Sequence, residues 1–400
     1  MKDNKVKYEK SIIWILIFTL VFSFQIRTMF LNEEFAKINV VVFICLAYVI
    51  FKYIKYYKRV FIVMFLIFSI YYILTFNLYQ ASFLNGILAY MTIILPLSLI
   101  GLNLDKKQFE DLFKIYLVLL NIIIILITVL GILDFILDYN LILNVSKYWG
   151  NRINQLIISQ KNDSVYRLYS FIGHPLFNSE LYLIFYILNN LYNRYFNKYY
   201  SNLLLTLIAF TGIGLTASKT GFILIIITFL IFNLSKINIK KILVIILVFF
   251  TSIKLRVFTN TLERFMNESL TTGRAEKAEV IAYYNLYPFK FFTGYGTGFT
   301  FKYSEIIPWA SAAFEYPFKM YSLELGILNT LFIYFFIAIY PVYILLKRGH
   351  YILLISFLII LIDVNTFNGV CIIGDYMTIF CFYIFIIMNI SNKILISRNV

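Results

Sequence analysis

The feature that most limits what this chain can become is a succession of apolar runs of roughly 17 to 25 residues, each long enough to cross a hydrocarbon core of about 30 Å as a helix. In lipid a backbone has to satisfy its own N–H and C=O groups, so an open chain crosses as helices, whereas barrel strands would show as short alternating segments. The many Ile, Phe and Tyr residues favour strands on propensity alone, but run length and backbone satisfaction outweigh propensity here. Composition agrees: 61% of residues are hydrophobic and 14% charged, with a mean hydropathy of +0.83, against about one half and one quarter in soluble domains. The expected fold is all-α, a polytopic membrane protein of about twelve transmembrane helices forming a single domain over residues 1–400.

Met1 to Lys10 is basic and precedes the apolar run Ser11 to Leu31. That start resembles a signal peptide, but the run is long and lacks a small-residue cleavage pattern, so it reads as a retained first span. Further spans are expected at about 37–51, 60–78, 83–102, 112–137, 175–192, 201–217, 219–235, 240–255, 321–346, 350–367 and 374–391. Lys and Arg gather in alternate connections: Lys52, Lys55, Lys58 and Arg59; Lys106 and Lys107; Arg194 and Lys198; Lys236, Lys240 and Lys241; Lys347 and Arg348; and the tail with Lys393 and Arg398. The intervening short loops 32–36, 77–82 and 368–373 carry none. The bias places both termini in the cytoplasm. It also makes the net charge of +15 a topology signal rather than a nucleic-acid footprint. Two longer segments, 138–174 and 256–319, then fall on the outer face, and long translocated segments escape the charge rule.

Cys45, Cys371 and Cys381 lie in or beside apolar runs, which argues against a disulfide framework or a thiolate metal site. His174 and His350 stand far apart in sequence, so no metal is expected.

Polar residues in the two long segments are the candidates for chemistry. In Tyr166-Arg167-Leu168-Tyr169-Ser170-Phe171-Ile172-Gly173-His174-Pro175, Gly and Pro mark a turn into a helix with Pro in its first turn. Two readings of Arg167 stand: an anion-binding base near that helix N-terminus, or an interfacial arginine on lipid headgroups. Glu180, inside the helix, is either functional or paired with a basic neighbour. Thr216-Ala217-Ser218-Lys219-Thr220-Gly221 joins two spans almost without a loop. There Lys219 either snorkels or, helped by Gly212, Gly214 and Gly221, faces a cavity between helices.

In the large loop, Thr272 or Gly273 caps a helix that shows Arg274, Lys277 and Ile281 on one face and stops at Pro288, with Glu276 and Glu279 as nearby acids. A solvated helix lying on the membrane is the bland alternative. Gly294, Gly296 and Gly298 permit close backbone approach but lack the context of a phosphate loop, which favours a plain turn. Glu315 stands at helical spacing from Lys319, so an ion pair between them competes with a role as general base.

The ordered set Arg167…Gly173-His174-Pro175, Ser218-Lys219-Thr220-Gly221, Thr272-Gly273-Arg274…Pro288…Gly294-Tyr295-Gly296 and Glu324-Leu325-Gly326-Ile327 resembles the O-antigen polymerase and ligase superfamily of the Wzy type, over about residues 160–345. The resemblance implies transfer of undecaprenyl-diphosphate-linked glycans outside the bacterial cytoplasmic membrane, without metal, nucleotide sugar or other cofactor. Its partners would be a lipid-linked donor and acceptor and the membrane lipids, with a chain-length regulator and a flippase nearby. Arg167, Lys219 and Arg274 match the family's basic residues by position, with lysine at 219 where arginine is common. Glu315 falls where ligases of the superfamily carry a histidine, which favours a polymerase over a ligase. His174, Glu180, Lys277, Gly294 and Gly296 are the expected substrate-binding residues. A ligase on the same fold, or a non-catalytic flippase for lipid-linked sugars, are the alternative functions.

Overall fold

A computed structural model describes residues 2–76, 83–149, 151–163, 165–233, 258–267, 273–285, 287–307, 309, 313–370 and 374–398. Among these the protein is all-helical, with no strand. Five helices are long and apolar enough to cross a membrane: Arg59–Phe76, Phe83–Gly101, Lys106–Ile136, Ile327–Lys347 and Tyr376–Ile394. Shorter apolar helices cover Ser11–Leu20, Asn202–Thr216, Lys219–Asn233 and Tyr351–Thr366. The expected span at 240–255 and the loop 77–82 lie outside the described residues.

Two expected spans are cut short for identifiable reasons. The first run ends as a helix at Leu20, and Ser23 caps a separate short helix, Phe24–Thr28. Arg27 sits in the middle of that apolar run, and its guanidinium donates to the carbonyls of Ala36 at 2.9 Å and Phe22 at 2.7 Å. A continuous helix would use up the Phe22 carbonyl, so the break provides acceptors for a buried charge. Span 321–346 instead begins at Ile327, because Gly326 adopts φ +90 and separates it from a short helix, Pro317–Glu324. The left-handed region at this junction favours glycine.

The chain forms two compact units. The first contains residues 1–19, 37–114 and 271–400. Within it the Arg59–Phe76 and Ile327–Lys347 helices run antiparallel along a ladder of rings: Phe61 meets Tyr340 at 5.3 Å and Phe336 at 5.2 Å, and Phe68 meets Phe332 at 5.1 Å. Pro341 has no N–H for the carbonyl four residues before it, and the turn preceding it, Phe335–Ile339, widens into a π-helix. The Tyr376–Arg398 helix is buried continuously from Tyr376 to Ser391, and its Asn389 accepts from the Leu104 amide at 3.0 Å and donates to the Leu102 carbonyl at 2.9 Å.

The second unit contains residues 20–36 and 115–270. Its centre is the Pro175–Tyr195 helix, buried continuously from Asn178 to Tyr192. Asn189 and Asn121 exchange amide hydrogen bonds at 2.8 and 3.1 Å. Tyr182 lies flat against Gly212, where an added Cβ would meet its ring at 2.1 Å, and shares a 2.8 Å hydrogen bond with Thr128. Small residues let these helices approach closely, as expected where lipid supplies no hydrophobic drive between them.

Candidate functional site

In the second unit the residues of interest gather on the junction between the Asn202–Thr216 and Lys219–Asn233 helices. Ala217 turns the chain with φ +50, and the Ser218 hydroxyl accepts from the Gly221 amide at 3.1 Å, starting the next helix. Lys219 is therefore the first residue of a helix, and it is buried, with 6% of its surface exposed. The segment carrying Arg167 is fixed to the end of the preceding helix. Leu168 donates its amide to the Leu215 carbonyl at 2.8 Å, and Arg167 Nε donates to the Thr216 carbonyl at 3.3 Å.

Arg167 precedes Leu168, whose carbonyl accepts from Asn178 Nδ2 in the first turn of the Pro175–Tyr195 helix at 2.8 Å. The Arg167 side chain stands at the C-terminal end of the Asn202–Thr216 helix, where unsatisfied carbonyls welcome a cation. His174 is the N-cap of the Pro175–Tyr195 helix: its Nδ1 accepts from the Leu176 amide at 3.3 Å, so the ring caps its own helix.

Sequence reading missed a third base here. Arg264, on the short Thr259–Asn267 helix, donates through Nη1 to the Ala217 carbonyl at 2.7 Å. One turn earlier on the same helix, Asn260 donates to the Tyr166 carbonyl at 2.9 Å. The signal was present in the sequence as polar residues at i and i+4 of a short amphipathic stretch, a spacing that puts both on one face. Arg167 and Arg264 thus hold the consecutive carbonyls of Thr216 and Ala217, with Ser218 between them and Lys219. Glu180 is buried, and its neighbour Ser179 packs on the start of the lysine's helix, where its Oγ would meet a Cβ on Gly221 at 2.0 Å. Next to this segment, Tyr169 to Phe171 border an apolar cavity of about 220 Å³ lined also by Met29, Ile127, Leu130 and Trp149.

In the first unit Arg274 opens the Arg274–Tyr284 helix after Gly273, which adopts φ +77. Its Nε donates to Glu315 Oε2 at 2.6 Å and its Nη1 to the Thr366 carbonyl at 3.4 Å. The expected Glu315–Lys319 pair is not made: the carboxylate faces Arg274, and the Lys319 ammonium lies 5.3 Å from the Tyr316 ring centre. Helical spacing alone made Lys319 available, but a guanidinium with several donors in a planar array is the better partner for a carboxylate. Lys277 follows one turn after Arg274, and Ile281 packs on a cluster of Tyr303, Phe314 and Leu323.

The glycines of the large segment do not form a plain turn. Tyr295 and Gly296 donate their amides to the Leu323 and Glu324 carbonyls at 2.9 and 3.0 Å. At Gly294 an added Cβ would stand 2.0 Å from the Glu324 carbonyl oxygen. The Gly294-Tyr295-Gly296 strap therefore docks backbone to backbone on Glu324-Leu325-Gly326-Ile327, and the Gly296 amide is committed to that contact rather than to a ligand. Glu324, absent from the expected site residues, is fully buried and accepts from the Thr300 hydroxyl at 2.5 Å and the Thr300 amide at 3.2 Å. Its Oε2 has no hydrogen-bond partner among the described residues. Burial pushes its carboxyl above the usual glutamate range, against the pull of its bonds from Thr300 and Gly298.

Lys219 and Arg274 share an arrangement: each is the first residue of a helix, where peptide dipoles already favour negative charge. A cation added at that position makes a place for an anion with more than one charged oxygen. Comparison with family models, curated proteins and solved structures returns no match to this chain.

Proposed function

We propose that the protein is a membrane-embedded polysaccharide polymerase that joins undecaprenyl-diphosphate-linked oligosaccharide repeat units at the outer face of the bacterial cytoplasmic membrane. The observation that carries this reading is the gathering of Arg167, Arg264 and Lys219 on one helix junction beside an apolar cavity. A lipid-linked diphosphate is an anionic head on an apolar tail, and the two kinds of surface stand next to each other here. In the reaction, the acceptor sugar hydroxyl attacks the anomeric carbon of the donor, its proton passes to a base, and the polyprenyl diphosphate leaves with the bonding electrons. Fixed guanidinium and ammonium groups stabilise the charge that develops on the leaving group, and loss of one such preorganised donor costs about 10²–10³ in rate. In this reading about twelve helices cross the membrane, both termini are cytoplasmic and residues 256–319 lie outside.

Glu315 is the proton acceptor of this scheme, held at rest by Arg274. A carboxylate paired with a guanidinium is a weak base, and an anion that draws Arg274 away from it raises its basicity.

The test is incubation of the purified protein with a synthetic polyprenyl-diphosphate repeat unit, read as a ladder of lengthening products. A ladder from the native protein that disappears in Arg167→Gln and Arg274→Gln, at unchanged protein level, is the expected result. Absence of any product, or a ladder that survives both substitutions, overturns the reading.

A further inference from the structure

The antiparallel ring ladder brings the start of the Arg59–Phe76 helix and the end of the Ile327–Lys347 helix to the same end of the first unit. Lys58 immediately precedes the first of these spans, and Lys347 and Arg348 close the second. The ends of two membrane-length helices mark one membrane–water boundary, and three cations meet there.

Their surroundings keep the charges together without neutralising them. Arg348 Nη1 donates to Ser391 Oγ at 2.9 Å, and the same oxygen is 2.8 Å from His350 Nδ1, so the guanidinium is anchored to the Tyr376–Arg398 helix at Ser391. Neither Lys58 nor Arg348 pairs with a carboxylate among the described residues. Partial desolvation lowers the Lys58 ammonium from its ordinary value, and the Arg348 and Lys347 charges lower it further. Desolvation likewise lowers Arg348, with Tyr340 opposing. Like charges gathered at such a place repel one another unless an anion joins them.

The flanks say which anion. Val60, Tyr343, Leu346 and Tyr351, the sequence neighbours of these cations, present exposed apolar or aromatic side chains. Lys347 also lies 5.9 Å from the Tyr343 ring centre. Aromatic rings and exposed aliphatic chains beside cations at a span end are the surroundings of a lipid headgroup whose acyl chains run along the helices. A free inorganic anion has no use for that apolar rim.

We propose that Lys58, Lys347 and Arg348 form a binding site for the phosphate headgroup of an anionic phospholipid. The site is independent of the glycan reaction proposed above, since none of its residues belongs to that machinery.

Purified full-length protein in neutral detergent, titrated with phosphatidylglycerol and read by native mass spectrometry for retained lipid, tests the assignment. Phosphatidylcholine and inorganic phosphate are the comparison arms. Phosphatidylglycerol should be retained at low salt and released as salt rises, with phosphatidylcholine bound weakly and phosphate failing to displace the lipid. Lys58 and Lys347 lie at the surface, so Lys58→Gln with Lys347→Gln leaves the fold intact, which the thermal unfolding midpoint checks. The pair should weaken retention by about fivefold for each cation removed. The arginine pair, Lys58→Arg with Lys347→Arg, should restore it. Equal retention of phosphatidylcholine, native retention by the Lys58→Gln/Lys347→Gln protein, or displacement by inorganic phosphate would each overturn the proposal, the last by showing a free-anion site.

Discussion

Replacing Glu315 by glutamine should destabilise the protein more than replacing Arg274 by methionine, and the two changes should be coupled. The pair is in contact at 2.6 Å, with 18% of the Arg274 side chain and 41% of the Glu315 side chain exposed. Two unit charges about 4 Å apart interact by about 1 kcal/mol in water and about 4 kcal/mol at an effective dielectric of 20. Exposed pairs measured by double-mutant cycles give about 0.2–1 kcal/mol. Partial exposure of Glu315 keeps the expected coupling near the upper limit measured for exposed pairs, at about 1 kcal/mol.

The asymmetry comes from the helix. Arg274 is the first residue of Arg274–Tyr284, where the peptide dipoles disfavour a cation, whereas a carboxylate left alone there is favoured. Glu315→Gln strands the arginine against the dipole, so it should cost about 0.3–1 kcal/mol more than Arg274→Met. The assay is reversible unfolding in mixed micelles of the native protein, the two single variants and the double variant, with a second cycle pairing Glu315→Gln with Lys319→Met. Coupling between Glu315 and Lys319 that equals or exceeds that between Glu315 and Arg274 would refute the reasoning, because Lys319 lies against Tyr316 rather than on the carboxylate.

Gly294→Ala should destabilise by about 2–4 kcal/mol in the same unfolding assay, since its Cβ meets a backbone carbonyl and the two strap hydrogen bonds have to open. Gly273→Ala, with open space around it and only φ +77 to strain it, should cost about 1–2 kcal/mol. Glu324 is buried with its pKa raised, so its contribution to stability is complete below the ordinary glutamate value and is lost as pH rises through the higher folded value. Stability measured across pH should therefore fall toward alkaline pH, and Glu324→Gln should flatten that fall. Arg264→Gln should lower product formation in the ladder assay by about 10²-fold, with Arg264→Lys recovering only part, because lysine keeps the charge but not the planar array of donors.

Helix content and most helix limits were legible in the apolar runs, because burial in lipid leaves few alternatives to a continuous helix. The departures fall where a single polar or flexible residue outweighs its neighbours. Arg27 breaks the first run to find carbonyl partners, and Gly326 sets back the start of a later span by its positive φ. At the candidate sites, residue type and approximate place were readable for Lys219 and Arg274, while their partners were not. Local spacing pointed from Glu315 to Lys319, and the real partner stands 41 positions away in sequence. Arg264 and Arg167 meet on Thr216 and Ala217 through a tertiary approach that no local pattern encodes. The strap glycines permit close approach, but the surface they approach, Leu323 to Ile327, lies a full element further along the chain, so the sequence reads as a plain turn.

The reciprocal amides of Asn121 and Asn189 carry a consequence for how the protein is made. Each asparagine sits on a helix whose other residues are chiefly apolar, and each satisfies the other while remaining electrically neutral. Until the Pro175–Tyr195 helix has emerged from the ribosome, Asn121 has no mate, and an amide alone in hydrocarbon is costly. Once closed, the clasp favours one longitudinal alignment, since sliding either helix by a turn, about 5.4 Å, would part these two amides. Two small uncharged side chains, 68 positions apart in sequence, thus tie the alignment of two helices.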